Sequence, residues 1–136
     1  FEIHVRYGDI FRAAGSFLNY NQIVSLMAEK MAVTNELQII LRRSHNKELM
    51  TVVIGVDGAN SPEQMENEFL RSLSVRGLAS LSDVCDRFLP LIPDLSELVT
   101  FEKVLEFKIQ LVPSESLARS SASGKLLHII DERSLT

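Results

Sequence analysis

The sequence predicts an α+β fold, in which a small, mainly antiparallel sheet has two helices packed on one face and a helical insert beside them. Two apolar, β-branched runs at 36–43 and 48–56 follow each other across a short polar link. The stretch 104–112 alternates apolar and polar residues, which is typical of a half-buried strand. Two further segments have helical spacing behind capping residues. Helices on one face of a small sheet would bury both kinds of apolar surface.

The opening residues, 1–17, alternate loosely between apolar and polar side chains. Gly8 and Gly15 interrupt this alternation, and glycine marks turns because it adopts conformations closed to other residues. We therefore expect a short hairpin here, with Asp9 near its turn.

The first helix is expected after this hairpin, with Asn19 or Asn21 as its N-cap. Its apolar residues at helical spacing are Ile23, Leu26, Met27 and Met31. The two β-branched runs come next, joined by the polar residues 44–47. A pair of apolar runs with such a link is typical of an antiparallel hairpin.

The second helix is expected to begin at Ser61, because a serine cap, Pro62 at the first helical position and Gln64 in a capping box coincide. Residues 78–99 are less regular and contain two prolines, so we interpret them as a helical insert. The alternating strand at 104–112 follows. The tail then consists of a Ser-rich loop, an apolar segment and a charged end.

The composition limits the possible partners. The chain has 136 residues, which is enough for one domain with one proper core. A net charge of −4 argues against nucleic acid as a partner, since no basic excess is present to neutralise phosphates. No apolar run reaches the roughly 18 residues that span a bilayer. The first residues lack the features of a signal peptide, and the start on Phe1 suggests a piece of a longer protein.

The chemical inventory is small. His4, His45 and His128 stand far apart and in no metal-ligand spacing, so no metal site is expected. Cys85 lies among apolar helix residues and is interpreted as a core side chain. A single cysteine excludes an internal disulfide and is typical of a reducing compartment, so a cytoplasmic location is expected.

One local feature stands out as a candidate for function. Residues 120–125 form a loop of small residues that ends in Lys125. Its compact charge could reach an anionic substrate from such a loop. The alternative interpretation is an ordinary solvated lysine on a flexible loop.

The end of the chain resembles the phenylacetate–coenzyme A ligase family of adenylate-forming enzymes. Members of that family finish with a strand ending in Leu-Val-Pro, a Leu-Pro-Arg-Ser loop, a Gly-Lys pair and an Ile-Asp-x-Arg tail. The corresponding stretches here are 111–113, 117–120, 124–125 and 130–133.

The beginning of the chain resembles the junction between the two domains of the same enzymes. In the family, a Gly-Arg-x-Asp-Asp turn is followed nine residues after the arginine by a glycine, and eight later by an isoleucine. Arg6, Gly15 and Ile23 keep both spacings. The resemblance covers both ends, whereas the insert at 78–99 has no counterpart.

The resemblance implies that residues 1–136 are the single, mobile C-terminal domain of an ATP-dependent acyl–coenzyme A ligase. The N-terminal domain, absent from this chain, would bind ATP with its Mg²⁺. In the family, a carboxylate attacks the α-phosphate of ATP to give an acyl-adenylate and pyrophosphate. The small domain then rotates, and the thiol of coenzyme A displaces AMP. A carboxylic acid, of an aromatic kind, is the implied substrate.

The resemblance also assigns residues. Lys125 matches the lysine that enters the active site for adenylation, where it would bind carboxylate and phosphate oxygens as a positioned cation. Gly15 matches the glycine of the loop that faces the pantetheine arm of coenzyme A, and Ser16 follows it on that loop. Gly8 and Asp9 occupy the hinge. For Gly15 and Asp9, ordinary turn residues are the alternative.

The chain departs from the family at several of these positions. Gly8 replaces the hinge Asp or Lys, which leaves rotation possible but its end states less defined. Ala14 replaces an arginine before the loop glycine, and Ala118 replaces the loop proline. These changes affect the thioester-forming half more than the adenylating half.

Two other readings stay open beside the ligase. A close variant would stop at the adenylate and pass the acyl group to another acceptor. The alternative from a different class is a non-catalytic regulatory or docking module that kept the same fold, which the Ser-rich loop and the insert would also suit.

Overall fold

The computed structural model describes residues 9–58 and 60–133. Two strands, β1 (Ile10–Ala13) and β2 (Ser16–Asn19), form an antiparallel hairpin at the start. The α-helices and strands that follow in chain order are α1 (Tyr20–Met31), β3 (Leu37–Ser44), β4 (Lys47–Val56), α2 (Pro62–Ser72), α3 (Leu81–Phe88), α4 (Pro93–Ser96), β5 (Leu105–Pro113) and β6 (Ile129–Asp131).

The α+β class predicted from the sequence is confirmed. The larger sheet has four strands in the order β5-β4-β3-β6. β3 and β4 pair antiparallel, whereas β5 joins β4 and β6 joins β3 in parallel. The sheet is therefore mixed rather than mainly antiparallel. β5 returns through a long helical connection, and crossovers of that length permit parallel pairing.

The opening hairpin lies further along the chain than expected. Its turn is Ala14-Gly15, with φ values of 50° and 90°, and not the surroundings of Asp9. Two positive φ values in a two-residue turn match the twist of antiparallel strands. Asp9 instead directly precedes β1, and Gly8 lies outside the described residues.

Both predicted helix caps are confirmed. Asn19 accepts hydrogen bonds from the first amides of α1, and Ser61 accepts one from the Gln64 amide at 3.1 Å. Pro62 opens α2 as expected. Most of the stretch 78–99 is helical, because α3, a 3₁₀ turn, α4 and a π-helix at Glu97–Phe101 follow one another from Leu81.

The main core lies between the helices and one face of the four-stranded sheet. β3, β4 and β5 contribute alternate residues to it, including Leu37, Ile39, Met50 and Phe107. Phe88 of α3 stacks against Phe107 at 6.0 Å between ring centroids, so the helical stretch closes this core. Within the part of the chain that the structure describes, no helix is long and apolar enough to cross a bilayer.

The opposite face of the sheet is covered in part by the segment after β5. Leu117 is buried there, against the backbone of Gly55 on β4. A Cβ at Gly55 would lie 2.9 Å from Leu117 Cδ1, closer than real contacts allow. The glycine thus seats the chain that leads into the Lys125 loop.

Candidate functional site

Lys125 lies near the N-terminal end of β3. Its loop is closed at the base by Ala118 and Leu127, where the Leu127 amide donates to the Ala118 carbonyl at 3.1 Å. Two more backbone hydrogen bonds of 2.8 Å follow, from Ser120 to the Lys125 carbonyl and from Gly124 to the Ser120 carbonyl. The Ser-rich loop is therefore an ordered, hydrogen-bonded turn at the edge of the fold.

The Lys125 side chain is exposed. Within residues 9–58 and 60–133, no carboxylate forms an ion pair with it. Arg119, one rung closer to the sheet, differs, because its guanidinium pairs with Glu36 at 2.7 Å. Of these two cations, Lys125 is the one without an ion-pair partner among residues 9–58 and 60–133.

Gly15 lies at the other end of the sheet. The Ala14 amide of its turn donates to Glu48 Oε1 at 2.9 Å, and Glu48 stands at the start of β4. Arg133 also reaches Glu48 Oε1, at 2.7 Å, and donates to the Arg12 carbonyl of β1 at 2.7 Å. These contacts fix the hairpin to the sheet where β3 ends and β4 begins.

The backbone conformation at position 15 explains why a glycine stands there. Its φ of 90° is strained for any residue with a Cβ, while a Cβ placed there would meet no atom within 4 Å. The glycine is needed for the turn, and the space above it is open. Ser16, the next residue, is the half-buried first residue of β2.

A cleft of about 310 Å³ borders the Gly15 turn at Ala14. Arg43 and Lys47 from the β3–β4 hairpin line it, together with Glu102. The cleft therefore presents charges of both signs to solvent. The structure places it beside the turn and far from the Lys125 loop.

Glu48 is the electrostatic centre of the Gly15 end. Burial acts to raise its pKa, but the hydrogen bonds from Ala14 and Arg133 and the nearby charges of Arg133 and Arg43 hold that pKa below its ordinary value. Arg133 is in turn paired with Asp131. Glu48 is thus ionised across the physiological range and holds the hairpin through a charge-assisted contact.

Asp9, the expected hinge residue, contacts His128. The distance from Asp9 Oδ2 to His128 Nδ1 is 2.7 Å, and the His128 ring stacks on Tyr20 at 4.2 Å between centroids. Tyr20 donates to the Leu37 carbonyl at 2.6 Å. Asp9, which directly precedes β1, is therefore attached beside the Lys125 loop, since His128 follows that loop.

The structure does not bring the sequence-predicted residues into one site. Lys125 and Asp9 share one end of the sheet, and Gly15 and Ser16 share the other. β3 has eight residues, and at about 3.3 Å per residue it separates the two ends by roughly 25 Å. In residues 9–58 and 60–133, His, Cys, Asp and Glu form no group that could hold a metal.

Two contributors were missed by sequence reasoning. Glu48 looks like any charged residue at a strand start, and Gln38 like a polar residue within an apolar run. Gln38 contacts the base of the Lys125 loop, 80 and 89 residues away in the chain. No local pattern reveals partners at such distances.

No family model and no curated protein matches the chain. Among solved structures, a domain of phenylacetate-coenzyme A ligase from Bacteroides vulgatus ATCC 8482 matches with 16% identity and a TM-score of 0.44. The match covers 93% of this chain and 94% of that one. At this identity and TM-score, the likeness assigns neither a family nor a function to the chain.

Proposed function

We propose that this chain is the C-terminal domain of an ATP-dependent acyl–coenzyme A ligase, which activates a carboxylic acid of an aromatic kind as its adenylate. The proposal joins the sequence resemblance at both ends of the chain to one structural observation. Lys125 and the Gly15 turn are both exposed and stand at opposite ends of β3. A single active site could therefore contact Lys125 and Gly15 only one after the other.

The first half-reaction would use the Lys125 end. A carboxylate oxygen attacks the α-phosphorus of ATP, the bond to the bridging oxygen breaks, and pyrophosphate leaves. Negative charge shifts onto the phosphate oxygens in the transition state, and an ammonium aimed at them lowers the barrier. Lys125 is exposed on an ordered loop and has no ion pair within the described residues, which suits this role, with Mg²⁺ and the nucleotide held by the N-terminal domain.

The second half-reaction would use the Gly15 end. The thiol of coenzyme A gives up its proton and its sulfur bonds to the acyl carbon, while AMP leaves with the electrons of the broken carbon–oxygen bond. Gly15 and Ser16 would border the path of the pantetheine arm, since the space above the turn is open. Rotation at the hinge, placed by the resemblance at Gly8 and Asp9, would exchange the two ends.

The decisive experiment is Lys125→Ala in the full-length protein. Carboxylate-dependent exchange of pyrophosphate into ATP should fall by about 10²–10³-fold, the usual cost of removing one charge-stabilising group. Thiolysis of a supplied acyl-adenylate should change much less. Lys30→Ala, which removes an exposed lysine from the last turn of α1, is the matched control. Equal losses in both half-reactions would contradict the assigned role.

The isolated 136-residue chain gives a second test. It should show no ligase turnover with ATP, coenzyme A and aromatic acids, because the proposal assigns nucleotide binding to the N-terminal domain. Measurable turnover would refute the two-domain scheme.

One observation favours the docking module as second candidate. Phe101 is 79% exposed, an unusual state for a phenylalanine, and lines a groove of about 420 Å³ with Asp94 and Glu97. The occupant that fits is a partner segment with a basic residue beside an apolar one. A full-length protein without carboxylate-dependent exchange would favour this function over the ligase.

A further inference from the structure

Gln38 is buried to an extent that is rare for an amide side chain, with 2% of it exposed. It lies on β3, whose neighbours Leu37 and Ile39 point into the main core. Gln38 therefore points to the opposite face, under the segment that leads to the Lys125 loop. A buried amide needs hydrogen-bond partners there, since leaving its groups unsatisfied is costly.

In the part of the chain that the structure describes, all of those partners belong to the two ends of the Lys125 loop. Gln38 Nε2 donates to the Ala118 carbonyl at 3.1 Å and to the Leu127 carbonyl at 2.8 Å. Its Oε1 accepts from the Ala118 amide at 3.0 Å. Both amide protons and the carbonyl oxygen are thus used on the residues at which the loop begins and ends.

The rest of the loop depends on this base. Going outward, the pairs are Ala118–Leu127, Arg119–Leu126 and Ser120–Lys125. Lys125 is therefore only two rungs beyond the contact with Gln38. A shift of the base is transmitted to Lys125, because each rung is set by the one before it.

We propose that Gln38 is a positioning residue for Lys125, which holds the base of the loop so that the ammonium reaches the reacting phosphate. This inference rests on the proposed ligase function. Since the Gly15 end is fixed by other residues, loss of Gln38 should impair adenylation and spare thiolysis.

Gln38→Met in the full-length protein tests this inference. Methionine keeps the unbranched shape and removes all three hydrogen bonds. We expect the turnover of carboxylate-dependent pyrophosphate exchange to fall by about 10–100-fold, since a misplacement near 1 Å costs up to about 10²-fold. Thiolysis should stay within about twofold. Thr51→Val is the matched control, because it removes a buried polar group on β4.

A double-mutant cycle separates positioning from general stability. If Gln38 acts through Lys125, the variant Gln38→Met/Lys125→Ala should be no slower in adenylation than Lys125→Ala alone. Multiplying losses would overturn the inference, as would equal effects of Gln38→Met on both half-reactions. An active Lys125→Ala would instead refute the proposed function itself.

Gln38→Glu provides a second variant in case the methionine variant does not fold. Its carboxyl group keeps an acceptor for the Ala118 amide but loses the paired donors to the two carbonyls. We expect the same selective loss of adenylation. Unchanged adenylation in the folded Gln38→Glu protein would likewise contradict the role of Gln38.

Discussion

Glu48 holds the Gly15 hairpin to the sheet, and its removal has a cost that follows from its contacts. Glu48→Ala takes away the charged acceptor of the Ala14 amide, a hydrogen bond worth about 1.5 kcal/mol. It also breaks the charge-assisted bond to Arg133, worth about 1.5 kcal/mol. The Glu48 side chain is 19% exposed and that of Arg133 is 16% exposed, so water compensates for little of the lost interaction energy.

The sum is a loss of about 3 kcal/mol in the free energy of unfolding. The larger penalty of an orphaned buried charge does not apply, because Arg133 keeps its contact with Asp131 at 2.7 Å. The pair with Arg43, at 3.5 Å and half exposed on the arginine side, adds little. For a domain of this size, 3 kcal/mol lowers the melting temperature by about 10 °C.

Urea unfolding of the 136-residue chain at pH 7 measures this loss, with Glu29→Gln on the exposed side of α1 as the control. The control should change stability by less than about 0.5 kcal/mol. A Glu48→Ala loss no larger than that of the control would refute the reasoning, since it would mean that the network contributes nothing.

Three further outcomes follow from the structure. Burial raises the pKa of the Cys85 thiol to about 11, so iodoacetamide at pH 8 should label it only after unfolding, as mass spectrometry can show. Burial, together with the charges of Asp9 and Glu36, raises the pKa of Tyr20 to about 12. An unfolded tyrosine ionises near pH 10. The free energy of unfolding should therefore fall as the pH rises from about 10 towards 12. An absorbance titration that shows Tyr20 ionising near pH 10 in the folded chain would contradict this. Gly15→Ala should cost about 1 kcal/mol in urea unfolding through its positive φ, and in the full-length protein it should slow thiolysis more than adenylation.

The parts of the fold that the sequence predicts are those encoded locally. Asn19 and Ser61 cap their helices within three residues of themselves, and the alternation at 104–112 follows from one buried face. The turn of the opening hairpin was predicted at the wrong place, because aspartate is a common turn residue and alanine, which adopts a φ of 50° at position 14, is not. Turn propensity alone favours Asp9 over Ala14 as a turn residue, which is the reverse of what the structure shows.

The parallel pairings and the loop contacts could not be predicted in the same way. β6 joins β3 across about 90 residues, and a three-residue strand has too little pattern to specify a partner. The same holds for Gln38, which reads as an interruption of an apolar run until its partners are known. Such features depend on the assembled fold, where burial forces each polar group to find a partner.

The two ends of β3 are fixed by different forces, which leads to a last prediction. The Gly15 hairpin depends on the ionised Glu48, whose pKa is held below its ordinary value. The Lys125 loop depends on the neutral amide of Gln38. A carboxyl group with a lowered pKa stabilises the fold fully above its unfolded pKa, near 4.3, and loses that effect as the pH falls through the folded pKa.

Acid should therefore loosen the Gly15 end before the Lys125 end. Hydrogen exchange on the 136-residue chain, corrected for intrinsic rates, should show the protection of the Ala14 amide falling below pH 4. The Ala118 amide, bound to Gln38 Oε1, should keep its protection until the whole domain unfolds. Equal loss at both amides would show that the ends are not independent. Independent anchoring is what a domain needs if it presents its two ends to one active site in succession, because either end can then be tuned without disturbing the other.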